Sequence, residues 1–326
     1  MKTYIKKLVF LPVVAVALLS ACIREDMKDC PPKRNVRLFI VTDTEVPPPL
    51  PNGRMTYLDR YVIDSVSVYV FDESERFFML LSGGFYTMGN HALGKTYELP
   101  IWLEDGTYHF VAWTNQGGIY KTNFETKDDL YRDMPHMGAI HMRLDFPTNA
   151  REIRTDIPDL HHGMTRDQQI IERKKDNTVT VVVSPNTYKV NFTVKGLGAT
   201  GNEFDFSVTD RNGHSRGMNN VITPGGGDFH YIRTCNATTG EMNVSMIMLN
   251  LSSVKNMPFT LTNETTHEGL FSGDLINLIV QSYQNAGQAL DFSKIFEFDI
   301  VLTYIANVGV TVTVNTWNYS NNPIEL

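Results

Sequence analysis

Phe296-Glu297-Phe298-Asp299-Ile300-Val301-Leu302-Thr303-Tyr304, followed after Ile305-Ala306-Asn307 by Val308-Gly309-Val310-Thr311-Val312-Thr313-Val314, is the stretch that decides the fold. In its first part Phe296, Phe298, Ile300, Leu302 and Tyr304 fall on every second position. In its second part Val308, Val310, Val312 and Val314 do the same, with Thr311 and Thr313 on the other face. A period of two is the signature of a β-strand with one face buried. Ala306-Asn307 breaks the first strand from the second, and Trp317 follows before a polar tail.

The same style recurs throughout the chain. Val36-Arg37-Leu38-Phe39-Ile40-Val41 predicts a first strand. The loop Pro47-Pro48-Pro49-Leu50-Pro51-Asn52-Gly53-Arg54 follows, where proline removes the donors a central strand needs. Val66, Val68 and Val70 alternate with Ser65, Ser67 and Tyr69, as in a half-buried strand. Gly106 to Asn115 predicts another strand, entered through the Asp105-Gly106 turn. Thr178 to Val183 is a β-branched run that Ser184-Pro185-Asn186 ends. Val190, Phe192 and Val194 then share a face, as do Phe204, Phe206 and Val208 before the Asn212-Gly213 turn. Met242 to Leu249 reads as a buried run. One short helix is expected over Leu275, Leu278 and Ile279, capped by Asp274 and ended before Gly287. Residues 116–165 are less regular and read as excursions on the first domain. Many short strands with little helix mean an all-β protein of two β-sandwiches in tandem. The boundary is placed at the Ser184-Pro185 break, giving domains of 36–184 and 185–326.

The N-terminus carries an address. Lys2, Lys6 and Lys7 precede an apolar run, Leu8 to Leu19, and then Ser20-Ala21-Cys22. A short basic-then-apolar leader ending in small residues is a secretory signal, and it is too short for a stable membrane span. The cysteine placed directly after Ser-Ala makes residues 1–21 a bacterial lipoprotein signal peptide, with diacylglycerol and acyl chains expected on Cys22. Two or three acyl chains anchor durably where one holds marginally. Residues 22–35 are then a lipidated tether, stiffened by Pro31-Pro32. Arg24-Glu25-Asp26 directly after the lipid resembles the export tag of Bacteroides-type surface lipoproteins. The resemblance implies the cell outer membrane, with the protein facing outward.

Removing the leader leaves 305 of the 326 residues, room for two domains. The formal charge of −7 includes three leader lysines, so the mature chain stands at −10. An acidic surface argues against nucleic acid as a partner. Of the three cysteines, Cys22 is assigned to lipid, and Cys30 and Cys235 are left open as a pair. No constellation for catalysis stands out. His161-His162 would point to opposite faces of a strand and read as turn or surface histidines. His136 and His141 lack a third ligand at metal spacing. Gly225-Gly226-Gly227 lacks the context of a phosphate loop. Cys235 reads as a structural thiol, and Trp102 and Trp113 as core. Neither a metal, a cofactor, a small-molecule substrate nor an enzymatic activity is expected.

Resemblance then supplies a family. Arg24, Asp26 and Asp29-Cys30-Pro31 after Cys22 resemble the opening of the FimB-type fimbrial anchor lipoproteins of Bacteroidales, the minor-fimbrium anchor family. Asp64-Ser65-Val66-Ser67-Val68-Tyr69-Val70-Phe71-Asp72 is similar to its second-strand motif. Gly106 to Asn115 is similar to its aromatic strand, and Asp159-Leu160-His161-His162-Gly163 to the turn before its second domain. Lys189 to Leu197 resembles the strand opening that domain, and Val310 to Trp317 the closing pattern. Residues 116–158 match no motif.

The resemblance implies two transthyretin-like sandwiches and assembly with shaft subunits of a fimbrium by strand exchange. Such pairing draws affinity from backbone hydrogen bonds and specificity from alternate side chains. Val308, Val310, Val312, Val314 and Trp317 form the candidate assembly strand; the same strand could equally complete its own domain. Polymerising subunits of such systems lose the lipid and first strand to a cut after Arg or Lys. Arg54 is the candidate processing site, which leaves a processed stalk or tip subunit as the alternative to an anchor. A surface glycan-binding lipoprotein, using Trp102 or Trp317, is the other reading.

Overall fold

A computed structural model describes residues 34–42, 63, 65–84, 96–116, 118–124, 126–145, 151–174, 177–198, 202–210, 214–216, 221–222, 228–305, 309–315 and 317–318. It is an all-β protein with two short α-helices among the described residues. The first half holds β1 (Val36–Thr42), β2 (Ser65–Phe71), β3 (Phe77–Gly84), β4 (Thr96–Ile101), β5 (Gly106–Thr114) and β6 (Tyr120–Thr122). It continues with α1 (Lys127–Asp133), β7 (His141–Leu144), β8 (Glu152–Ile153), β9 (His161–Ile170) and β10 (Asn177–Pro185). The second half holds β11 (Thr187–Lys195), β12 (Glu203–Asp210), β13 (His214–Arg216), β14 (Val221–Ile222), β15 (Phe229–Asn236) and β16 (Glu241–Leu249). It ends with β17 (Pro258–Asn263), β18 (Glu268–Asp274), α2 (Leu275–Asn285), β19 (Glu297–Ile305), β20 (Gly309–Val314) and β21 (Trp317–Asn318).

Seven strands form one sheet in the order β3-β2-β5-β9-β10-β1-β4. It folds over on itself. β9 pairs with β10 only where Val183, Ser184 and Pro185 meet Gly163, His162 and His161. Beyond that point β9 follows β5 out to Ile170, while β10 follows β1. Val66, Val68, Val70, Phe110 and Ala112 from one layer therefore pack against Val36, Leu38, Ile40, Val179, Val181 and Val183 from the other. Gly163 sits at the fold, and a Cβ there would collide with the Val182 carbonyl and come within 2.8 Å of Val183 Cγ1.

β2 and β5 are buried on both faces, not the one face that alternation predicts for β2. Tyr69, Phe71, Val111 and Trp113 point away from the first core and join a second one. Tyr69 and Trp113 meet edge to face at 5.3 Å, a favoured aromatic geometry. Residues 120–144 cover this second face with Tyr120, Leu130, Met137, Ile140, Met142 and Leu144. The irregular middle stretch is thus a cover, and its strands also reach the second half of the chain. β7 pairs with β13, and β8 with β15.

In the second half, β16-β11-β19-β20-β21 faces β18-β17-β12-β15-β8. Val190, Phe192 and Val194, Phe298, Ile300 and Leu302, and Val310, Val312 and Val314 pack against Phe204, Phe206, Val208, Phe259 and Leu261. Phe192 and Phe206 lie 4.2 Å apart. Asp274 caps α2 as expected, accepting from the Asn277 amide at 2.7 Å.

Replacing Gly163 with Ala will lower unfolding free energy by about 1–3 kcal/mol, because backbone and a β-branched side chain already fill the space. Gly269→Ala, where a Cβ meets nothing within 4 Å, will be neutral. Paired denaturant titrations measure the difference.

Candidate functional site

The start of β1 is held by two buried asparagines. Asn35 donates its amide Nδ2 to the Leu103 carbonyl at 2.6 Å and accepts from the Leu103 amide at 3.0 Å. Its backbone amide donates to the Ile101 carbonyl at 3.2 Å. Asn177 Nδ2 shares its two hydrogens among the carbonyls of Asn35, Ile171 and Lys174, at 3.0, 2.8 and 3.0 Å. Its Oδ1 accepts from the Ile171 amide at 3.1 Å. The Glu172 amide donates to Asp105 Oδ1. One end of the first sandwich is thereby clipped together: the entry of β1, the turn after β4 and the turn after β9. Glu98 on β4 adds a two-pronged pair with Arg37, at 2.8 and 3.0 Å. The hydrogen bond to Arg37 holds the Glu98 carboxyl below its ordinary range.

From this end β1 runs between β10, parallel, and β4, antiparallel. Val36, Leu38 and Ile40 are buried in the first core. β10 ends at Pro185 and β11 begins at Thr187, so the second half starts at the opposite end of β10. Nine residues of strand separate the two ends, about 30 Å at 3.3 Å per residue.

Cys22, Arg24, Glu25, Asp26, Cys30 and the loop carrying Arg54 lie outside the described residues. Of the candidate assembly strand, Val310, Val312 and Val314 are buried in the second sandwich of their own chain. β20 pairs antiparallel with β19 from Ile300↔Val314 to Ile305↔Gly309. Val308 and the Trp317 side chain lie outside the description; the Trp317 backbone pairs with Val314. Asn315, which the alternating pattern does not mark, fixes the end of this strand. It adopts a left-handed φ of 45°, accepts from the Asp299 amide at 2.6 Å and donates to the Tyr283 hydroxyl at 2.9 Å. An Asn directly after a run of alternating valines was the available signal, since Asn tolerates that backbone region.

His161 and His162 are not the turn or surface histidines expected from the sequence. Both are buried, because β9 is at this point an interior strand between β5 and β10. His161 Nδ1 lies 3.0 Å from Thr114 Oγ1, and His162 packs against the Trp113 ring. Burial pushes His161 down to about 3. His136 instead lies at the surface, 3.1 Å from Glu75. Trp102 also differs from expectation. Trp113 is core, but Trp102 sits just past β4 with 42% of its surface exposed. Cys235 on β15 carries a free thiol whose pKa burial pushes up. Among the described residues no group of three or more His, Cys, Asp or Glu could hold a metal ion.

The fold is that of an all-β protein built from packed sheets. The chain belongs to the family of fimbrillin-A associated anchor proteins Mfa1 and Mfa2, whose model matches residues 27–323. Solved structures agree in fold. The fimbrial anchor protein Mfa2 from Porphyromonas gingivalis superposes with a TM-score of 0.63 at 18% identity, covering 87% of this chain and 98% of that one. A candidate polysaccharide-binding protein from Bacteroides thetaiotaomicron gives 0.64 at 15%, covering 89% and 98%. A candidate adhesin from Bacteroides ovatus gives 0.63 at 15%, covering 91% and 98%. A search of curated proteins returns no match.

Asn177→Ala will cost about 1–3 kcal/mol, since several backbone groups lose their partner. Faster hydrogen exchange at the Ile171 amide reports the loss. His161 stays neutral when folded, whereas the unfolded chain takes up a proton near pH 6.5. Its contribution is full above that pH and falls as pH drops toward about 3. Between pH 6.5 and 4, His161→Gln will flatten the stability–pH slope by up to about 1.4 kcal/mol per pH unit. Equal slopes in denaturant titrations of the two proteins would refute this.

Proposed function

We propose that this fimbrial-family protein is an outer-membrane lipoprotein that anchors a fimbrium at the cell surface. The lipid on Cys22 holds the bilayer, Arg24, Glu25 and Asp26 direct export, and the second sandwich meets the shaft subunits. Its role is structural rather than catalytic. The observation that carries the reading is the place of β1. The segment joined to the tether is an interior strand, paired on both edges and buried along one face. A pull on the lipid therefore loads two ladders of backbone hydrogen bonds in shear rather than peeling an edge. The second sandwich begins at the far end of β10, so it projects away from the tether toward other subunits.

The same observation weighs on the processed-subunit alternative. A cut after Arg54 would remove β1 and leave a gap between β10 and β4, with Val179, Val181 and Ile101 uncovered. Such a chain would need a replacement strand at once.

Cys22→Ala will release fimbriae from cells into the medium, scored by comparing cell-bound and shed material. Fimbriae that remain on the cells would contradict the anchor role. The mass of the mature N-terminus separates the alternatives: an acylated Cys22 fits the anchor, and a free amine at Met55 fits a processed subunit.

A further inference from the structure

We infer that the tether end of the first sandwich is a second, non-covalent membrane contact, in which Trp102 and Ile171 seat in the lipid interface. This rests on the lipoprotein reading above. Both residues flank the point where the tether enters the fold. Trp102 stands beside Leu103, which Asn35 clips, and Ile171 is clipped by Asn177. Their exposures are 42% and 55%. Single exposed apolar side chains are ordinary. Two large ones, held by buried asparagines on adjoining turns around a chain entry, form a shaped end.

The occupant follows from where the chain leads. Cys22 precedes Asn35 by thirteen residues, a reach of at most about 45 Å. A tether this short keeps the end at high local concentration over the bilayer, so a weak surface affinity is enough to hold it there. Tryptophan favours the headgroup level, where its ring is buried and its N–H stays wet. Charge does not oppose the contact. Exposed Arg34, Arg173 and Lys174 balance Glu104, Asp105 and Glu172 at this end, in a mature chain of formal charge −10. The contact is accordingly apolar and insensitive to salt. It sets the body upright, because β1 and β10 run away from this end.

The test uses the full mature chain, in native acylated form and as an unacylated form held to vesicles by an N-terminal histidine tag on a nickel-chelating lipid. The vesicles are phosphatidylcholine with or without bromine on the acyl chains. The expected result is a blue-shifted, bromine-quenched tryptophan component in both forms, lost in Trp102→Phe and weakened in Ile171→Asn. Trp102 emission that stays acrylamide-accessible and unquenched on vesicles overturns the proposal. So does a blue shift that appears on concentrating the protein without vesicles, since it assigns this end to a protein partner. The tagged form separates the two ideas. Absence of an acyl group on native Cys22 sinks the lipoprotein reading, and absence of quenching in the tagged form sinks this one.

Discussion

The pairing of β1 with β10 is the constraint on which the rest of the molecule depends. Their partners start with Val36 and Asn177, more than a hundred residues apart in the chain. Closing so long a loop costs entropy before any contact forms. The compensation is concentrated in one place. β1 places three aliphatic side chains in the first core, each contributing about 1.5–3 kcal/mol when fully buried. The Asn35 and Asn177 clips then satisfy the polar groups exposed by ending several strands together. Because the two strands are parallel, the loop also fixes direction. The chain enters β1 at one end and the second sandwich leaves from the other.

That arrangement explains why the two halves are not independent blocks. The outer faces of β2 and β5 carry Tyr69, Phe71, Val111 and Trp113, too much apolar surface to leave in water. Residues 120–144 cover it; β7 within them pairs with β13 of the second half, and β8 just beyond them pairs with β15. One continuous cluster of buried side chains consequently runs from Tyr69 to Val314. A load on either sandwich is transmitted through packed interior rather than through a flexible linker, since only Asn186 separates β10 from β11.

Much of this fold is legible in the sequence, and what is hidden has physical reasons. Strands with one wet face, such as β11, β12, β19 and β20, show clean alternation because solvent and core impose opposite chemistry. β2 misleads because Ser65 and Ser67 open its second face, whereas Tyr69 and Phe71 continue it as core. β9 escapes notice because Arg166, Asp167, Gln168 and Gln169 make it polar; backbone pairing with β5, not apolar periodicity, holds that part. Asn35 and Asn177 look like ordinary loop residues. Their partnership spans 142 positions and has no local signature. The family motifs, by contrast, are legible as an ordered series of strand patterns from Asp64 to Trp317, within the span of residues 27–323 that the family model matches.

The closing strand shows how the energetics of assembly differ between donating and accepting. Withdrawing β20 from its own sandwich would expose Val310, Val312 and Val314, a loss of about 5–9 kcal/mol at 1.5–3 kcal/mol each. That is comparable to the whole stability of many domains. The Asn315 contacts to Asp299 and Tyr283 would be broken as well. An exchange at this strand therefore demands an incoming segment that restores nearly all of the loss. Adding a strand demands much less. β21 pairs with β20 only at Thr313 and Val314, so among the described residues the β20 edge from Gly309 to Val312 has no strand beside it. Backbone groups there can gain partners without any strand being removed. Adding a strand at this edge therefore costs less than withdrawing β20 from its own sandwich.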